Sequence, residues 1–222
     1  MSEKATAVQA EQVEIGPVVK ITKTSYVGAG FSFTFEPAED SLSVIQTADG
    51  YEARYLVQDD SPAGDPDEDE DALFLVHYHR NFEARQDKVI VEDDLRRWYQ
   101  GETIAQEKEY WIFPVSAYIH SGVRLSLGNM RDASGGFDGQ GWDTSHVGAV
   151  LASKKEWRTR KAAEKAALQK VETWNQYLAG DIWGCVLEKY DHKKQAVEAG
   201  HESCWGYYGW DYALESLKTF AG

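Results

Sequence analysis

Two histidines one residue apart, His77 and His79, close the apolar run ALFLVH that begins at Ala72. In a β-strand, side chains two positions apart point to the same face, so both imidazoles would face one way, as zinc ligands commonly do. The spacing predicts a candidate metal site at His77 and His79, with zinc as the implied cofactor. The alternative, which we favour, is that both rings only hydrogen-bond within the fold and that the chain has no cofactor.

A second group of side chains able to contact a ligand flanks a glycine-rich segment at residues 129–142. This segment predicts a loop, but no lysine or helix start follows it, as a phosphate-binding loop would require. The residues at its exit, together with one histidine from an earlier strand, are candidates to line a small ligand pocket. These pocket candidates are His120, Trp142, Asp143 and His146.

The two cysteines, Cys185 and Cys204, are too few for a disulfide framework. A nucleophilic thiolate needs a partly exposed, electropositive surrounding, and His201 lies three residues before Cys204. Each cysteine sits in an aromatic run typical of a strand, where a free thiol usually behaves as a small buried hydrophobe. We therefore expect two buried thiols in a reducing compartment rather than a cysteine enzyme.

Acidic residues dominate one short segment of the chain. Eight of the fourteen residues from Asp59 to Ala72 are Asp or Glu, and the segment offers no large apolar side chain, so we expect a disordered insertion at about 59–72. Carboxylates at DNA-like spacing could occupy a basic groove on another protein. The alternative is a solvated linker. The candidates for contact with such a partner are Asp67, Glu68, Asp69, Glu70, Asp71, Glu92, Asp93 and Asp94.

The whole chain of 222 residues carries a formal net charge of −14. Binding to a nucleic-acid backbone needs clustered lysine and arginine, so we expect a protein partner with a basic surface and no direct nucleic-acid binding. No apolar run approaches the length that spans a bilayer, and no signal-peptide pattern opens the sequence. These features predict a cytoplasmic protein without membrane association.

Hydrophobic periodicity identifies the elements that would position these residues. A polar leader covers residues 1–16. Alternating apolar residues around Asp49-Gly50 predict a hairpin at 42–57, and a short helix is predicted at Glu92 to Tyr99. Further strands are predicted between residues 110 and 153.

The clearest helical pattern runs from Lys154 to Leu178. Its apolar residues recur at spacings of three and four, with lysines such as Lys170 assigned to the other faces. A strand at 181–190, a strand at 203–208 and a short helix at 213–220 follow. We expect the aromatic residues of this last part, including Trp205 and Tyr212, to form core. The element order predicts a single α+β domain over residues 17–222, with a mainly antiparallel sheet, one long helix and two short helices.

Four blocks of the sequence, YWIFPVSAYIHSGVRLSLG, WDTSHVGAVLASKKEW, VETWNQYLAGDIWGCVLEKY and ESCWGYYGWDYALE, occur in an order that resembles an uncharacterised accessory protein family of bacterial phages and mobile elements. No activity or catalytic residue is assigned to that family. The resemblance implies an accessory protein in a bacterial host, of a kind that often antagonises host defences. Together with the acidic residues, it leads us to expect a non-enzymatic protein that binds a host or phage protein and acts as an anti-defence factor with DNA-mimic character. The alternative is a small metal-dependent enzyme or ligand-binding domain with a His-centred pocket.

Overall fold

The computed structural model describes residues 30–38, 40–62, 64–67, 72–78, 89–128 and 143–220. The leader at 1–16 lies outside the described residues. The chain forms two compact units: unit 1 combines residues 1–59 with 183–222, and unit 2 is residues 60–182. The expectation of one domain over residues 17–222 stays a prediction.

The described part of the chain is α+β, with antiparallel strands, as the element order predicts. The strands are β1 (Ser43–Thr47), β2 (Gly50–Gln58), β3 (Leu73–His77), β4 (Tyr110–Ile119), β5 (Val123–Leu127), β6 (Thr144–Ser153), β7 (Ile182–Tyr190) and β8 (Ala196–Tyr208). The α-helices are α1 (Glu92–Tyr99), α2 (Arg160–Leu178) and α3 (Trp210–Thr219), and a short 3-10 helix spans Ala105–Lys108. The strands form two four-stranded sheets instead of one.

The sheet of unit 1 has the order β1-β2-β7-β8. The predicted hairpin is confirmed, with Thr47 paired to Gly50 across the turn. Helix α3 packs its buried Ala213 and Leu217 against Leu56 and Cys185 on one side of this sheet. Aromatic residues of the segment at 31–35 cover part of the other side, where they contact Tyr55 and Tyr190.

Strand β8 is longer than its sequence suggests. It begins at Ala196, seven residues before the start of the strand predicted at 203–208. Most of its side chains are exposed, because β8 lies at the end of the sheet order and pairs with β7 on one side. Trp205 is 39% exposed and Tyr212, in α3, is 63% exposed, so the expectation that these two aromatic residues form core is wrong.

The sheet of unit 2 has the order β3-β6-β4-β5. Helix α2 starts at Arg160, because the side chain of Thr159 accepts a hydrogen bond from the Ala162 N–H and caps the helix. Its predicted apolar face packs on the sheet, with Trp174 completely buried. Helix α1 packs through Leu95 in a second cluster with Phe74 and Ile112.

Asp67 corrects the expectation of a wholly disordered acidic insertion. Its side chain is 0% exposed and forms an ion pair with Lys170 Nζ at 2.8 Å. It also accepts hydrogen bonds from Trp174 Nε1 at 2.9 Å and from the Leu75 N–H at 2.7 Å. Lys170 therefore lies on the buried side of α2, and not on a solvated face as the sequence analysis assigned it. Its positive charge offsets the negative charge of Asp67, since a buried carboxylate without a partner would be strongly unfavourable. Residues 68–71 lie outside the described residues.

None of the helices in the described ranges is long and apolar enough to cross a membrane.

Candidate functional site

Three of the sequence-predicted residues lie on β4 and β6 of unit 2, or just beyond their ends. His120 follows β4 and Asp143 precedes β6, and their side chains form a pair with Nδ1 and Oδ2 3.3 Å apart. Both side chains are largely exposed. The backbone N–H of Ile119 also donates to the Asp143 carbonyl at 2.8 Å. The His120–Asp143 pair therefore lies at the end of the β4–β6 ladder. Trp142 lies outside the described residues.

His146 lies apart from the His120–Asp143 pair and lines an open pocket of about 220 Å³. The walls come from α1 and from the start of β6, with Tyr78 beyond the end of β3. The lining residues are Tyr78, Glu92, Leu95, Arg96, Tyr99, Ser145, His146 and Val147. Of the predicted pocket residues that the structure describes, this pocket contains His146 and neither His120 nor Asp143. Desolvation lowers the pKa of His146 below its ordinary value, which favours the neutral imidazole.

The candidate metal ligand His77 is buried at the end of β3, opposite Gly148 of β6. Its predicted companion His79 lies outside the described residues. Within the ranges that the structure describes, no group of three or more His, Cys, Asp or Glu side chains is arranged to hold a metal ion. A zinc site at His77 and His79 stays a prediction.

Two of the three acidic partner-binding candidates of α1 are compensated within their own helix. Glu92 pairs with Arg96 at 2.6 Å, and Asp94 pairs with Arg97 at 3.6 Å. Such pairs at helical spacing offset the negative charge that a DNA mimic would present. Asp93 is exposed in the same first turn. Asp67 is buried, as described above, and Glu68, Asp69, Glu70 and Asp71 lie outside the described residues.

Unit 1 exposes an aromatic cluster that the sequence analysis did not identify, and we call Phe35, His201 and Trp205 the aromatic surface. The rings of Phe35 and Trp205 meet edge to face, with centroids 5.4 Å apart and an interplanar angle of 78°. The Phe35 and His201 centroids are 5.9 Å apart. Phe35 is 36% exposed, and the Trp205 indole N–H donates to the Ser203 hydroxyl at 3.2 Å.

A buried carboxylate lies next to the aromatic surface. Glu188, on β7, is almost completely buried and its Oε1 is 3.5 Å from His201 Nδ1. The carboxylate accepts hydrogen bonds from the Thr34 N–H at 2.9 Å and from the Tyr190 hydroxyl at 2.5 Å. Burial, followed by the hydrogen bond to Glu188, raises the pKa of Tyr190 above its ordinary value, so the phenol remains protonated and donates.

The cysteines do not form a nucleophilic site with His201. Cys185 is buried, as expected, and burial raises the pKa of its thiol to about 11, which disfavours the thiolate. Cys204 is exposed, contrary to expectation, because β8 is an edge strand. His201 and Cys204 are separated by an odd number of positions, which directs their side chains to opposite faces of a strand.

Sequence reasoning selected His146 but missed Ser116, Tyr99, Phe35 and Glu188. Two signals were present in the sequence. Phe35 ends the alternating run of phenylalanines from Phe31. Glu188 alternates with Val186 and Tyr190 in a largely apolar strand, which indicates a buried carboxylate with partners.

Comparison of the chain with protein-family models, with curated proteins and with solved structures finds no match.

Proposed function

We propose that unit 1 is a protein-binding module that captures an extended, basic segment of a partner along β8 and receives one of its cationic side chains on the aromatic surface. The observation that carries this proposal is the exposed Phe35–Trp205 pair beside the buried Glu188 carboxylate. This is the form of the expected protein-binding role that the described residues support best.

Strand β8 has the properties of an edge that adds a further strand. It is thirteen residues long, and most of its side chains are exposed. In the described part of the sheet order, β8 has β7 as a neighbour and no strand on its other side. Exposed edges recruit extended peptides, whose main chain supplies affinity and whose alternate side chains supply specificity.

The aromatic surface supplies a position for one cationic side chain of that segment. Aromatic faces attract ammonium and guanidinium groups, and each such contact contributes about 0.5–2 kcal/mol. The Glu188 carboxylate lies beneath the aromatic surface, with its Oε1 3.5 Å from His201 Nδ1. Its negative charge strengthens the preference of the aromatic surface for a cationic side chain. Trp205 is the principal contact, since tryptophan is enriched among residues that dominate interface energetics.

The charge of the whole chain favours the same partner. A net charge of −14 attracts basic segments over a distance and repels acidic ones, so association with a basic partner is fast and falls with salt. Glu198 and Glu202 add carboxylates on β8 itself.

A fluorescence anisotropy titration with defined peptides tests the proposal. The probe is a short labelled peptide of alternating lysine and valine, and the comparison peptides replace lysine by glutamate or interrupt the strand with proline. Only the uninterrupted basic peptide is expected to bind, and salt is expected to weaken it. Equal affinity for the glutamate peptide, or no saturable binding of the basic peptide at low salt, would refute the proposal.

The biological setting in the proposal is that of an accessory protein of phages or mobile elements acting on a host or phage protein, including antagonism of a host defence. This setting rests on the resemblance described above. It predicts that expression of the chain restores phage plaque formation on a host carrying an active defence system. Expression of the Trp205→Ala variant should not restore it.

A further inference from the structure

We propose that the His146 pocket of unit 2 binds a neutral, planar, hydrogen-bonding heterocycle of nucleobase size, with His146 Nε2 accepting a hydrogen bond from the ligand. The pocket is independent of the aromatic surface on unit 1, and the proposal stands or falls separately from the protein-binding role.

A β-bulge lies next to His146, which lines the pocket. Across the β4–β6 ladder, Val115 pairs with Gly148 and the next residue, Ser116, pairs with His146, so Val147 is the extra residue in β6. The bulge interrupts the alternation of the strand directly after His146, and both Ser145 and His146 are exposed near the start of β6. Bulges commonly redirect side chains beside functional sites.

We infer the tautomer of His146 from the two hydrogen-bond contacts of the Ser116 hydroxyl. The Ser116 hydroxyl is buried and donates its single hydrogen to the Gly128 carbonyl at 3.1 Å. Its oxygen lies 3.0 Å from His146 Nδ1, and therefore accepts a hydrogen bond from a protonated Nδ1. In the neutral imidazole that partial desolvation favours, Nε2 on the opposite edge of the ring is then an acceptor.

Two tyrosines give the pocket rigid aromatic walls. The Tyr99 ring stacks on His146, with centroids 4.8 Å apart and an interplanar angle of 28°, and its hydroxyl donates to the Gly148 carbonyl. The Tyr78 hydroxyl donates to the Ile90 carbonyl at 2.7 Å. Because backbone carbonyls hold both hydroxyls, the two rings are fixed in place as walls of the pocket. Planar ligands suit such walls.

The charges of the lining select a neutral ligand. Glu92 and Arg96 pair across one turn of α1 at 2.6 Å, and they offer an acceptor and donors without net charge. Ser145 adds a hydroxyl, and Leu95 and Val147 add apolar surface. An edge that alternates donors and acceptors, as in adenine or cytosine, is complementary to this set. A volume of about 220 Å³ accommodates one small ring system.

The test is a ligand-observed NMR titration of the full chain with adenine, cytosine and uracil, with benzoate as an anionic planar comparison. We expect saturable binding of at least one base, with benzoate binding at least tenfold more weakly. His146→Ala should weaken binding of that base about tenfold, the effect of losing roughly 1.4 kcal/mol. Ser145→Phe, which fills the pocket from an exposed position, should abolish it. His120→Ala is the matched control and should leave it unchanged.

Three outcomes would overturn the proposal. They are the absence of saturable binding of every base at millimolar concentration, unchanged affinity in both His146→Ala and Ser145→Phe, and benzoate binding as tight as that of the bases. A short single-stranded oligonucleotide distinguishes a free ligand from a base carried on a strand. Since the chain carries a net charge of −14, the free base should bind more tightly, and the reverse order would contradict a free small-molecule ligand.

Discussion

The indole ring of Trp205 lies directly against the backbone of Gly184, in space that a Cβ at position 184 would occupy. Gly184 belongs to β7 and has Val57 of β2 as its partner on the other side. The absence of a side chain at position 184 therefore allows the largest ring of the aromatic surface to lie flat on the sheet. Glu188 lies four residues further along β7, on the same face of the strand.

Replacing Gly184 by alanine should displace Trp205, because the added methyl group would overlap the ring. We expect the affinity for the lysine–valine peptide to fall about tenfold, corresponding to roughly 1.4 kcal/mol, while the chain remains folded. Anisotropy gives the affinity, and thermal unfolding followed by circular dichroism reports the fold. Gly122→Ala is the control, since a Cβ there meets nothing within 4 Å. Unchanged affinity in Gly184→Ala would mean that the position of Trp205 is irrelevant to binding.

Removing Asp67 should destabilise unit 2 strongly, because Lys170 would be left as an uncompensated buried charge. We expect Asp67→Ala to lower the free energy of unfolding by about 3–5 kcal/mol. The double variant Asp67→Leu/Lys170→Met should recover much of that loss. Urea denaturation measures all of these variants. Glu164→Ala, on the exposed side of α2, should change stability by less than about 0.5 kcal/mol. A loss that small in Asp67→Ala would show that the buried pair is unimportant.

The two cysteines should differ sharply in their reaction with iodoacetamide. Cys204 is exposed, whereas Cys185 is buried, its thiol donates to the Ala213 carbonyl at 3.7 Å, and its pKa is raised to about 11. Mass spectrometry of the native protein should find alkylation at Cys204 and none at Cys185, which should react only after unfolding. Rapid labelling of Cys185 in the folded chain would contradict its burial beneath α3.

The imidazole of His146 should titrate below its ordinary pKa of 6.5, because desolvation disfavours its charged form. A lowered pKa in the folded state means that this group contributes stability above pH 6.5, and that the contribution is lost as the pH falls through the lowered value. NMR titration of the ring resonances gives the midpoint. As the pH falls from 6.5 through the lowered pKa of His146, the His146→Gln variant should lose less stability than the parent chain. A midpoint at or above 6.5 would contradict the desolvated environment.

Local patterns predicted the elements well, because each depends on neighbours in the sequence. The Asp49-Gly50 turn and the apolar face of α2 are examples, and both are found. The division into two sheets was not predicted, since β2 pairs with the distant β7 and no local pattern encodes that choice.

The misassigned side chains share one physical cause, which is that tertiary contacts decided their burial. Composition predicted Asp67 to be solvated, yet Lys170 and Trp174 bind it inside unit 2. Trp205 was expected in the core, yet β8 is an edge strand and leaves the ring exposed. The burial of Lys170 could have been predicted from the sequence. Lys170 lies three residues after Ala167 and four before Trp174, a helical spacing that places it on the apolar side of α2.

The most direct test of the account is an amide and indole NMR titration of the chain with the lysine–valine peptide. We predict that the Trp205 indole N–H and the amides of residues 196–208 shift together and saturate, with no comparable change in β1, the opposite edge of the same sheet. Trp205→Ala should remove the response, and Tyr212→Ala, an exposed aromatic residue on α3, should preserve it. Saturable shifts confined to β1 or to unit 2, or none at all, would contradict the claim that β8 and the aromatic surface bind a basic partner.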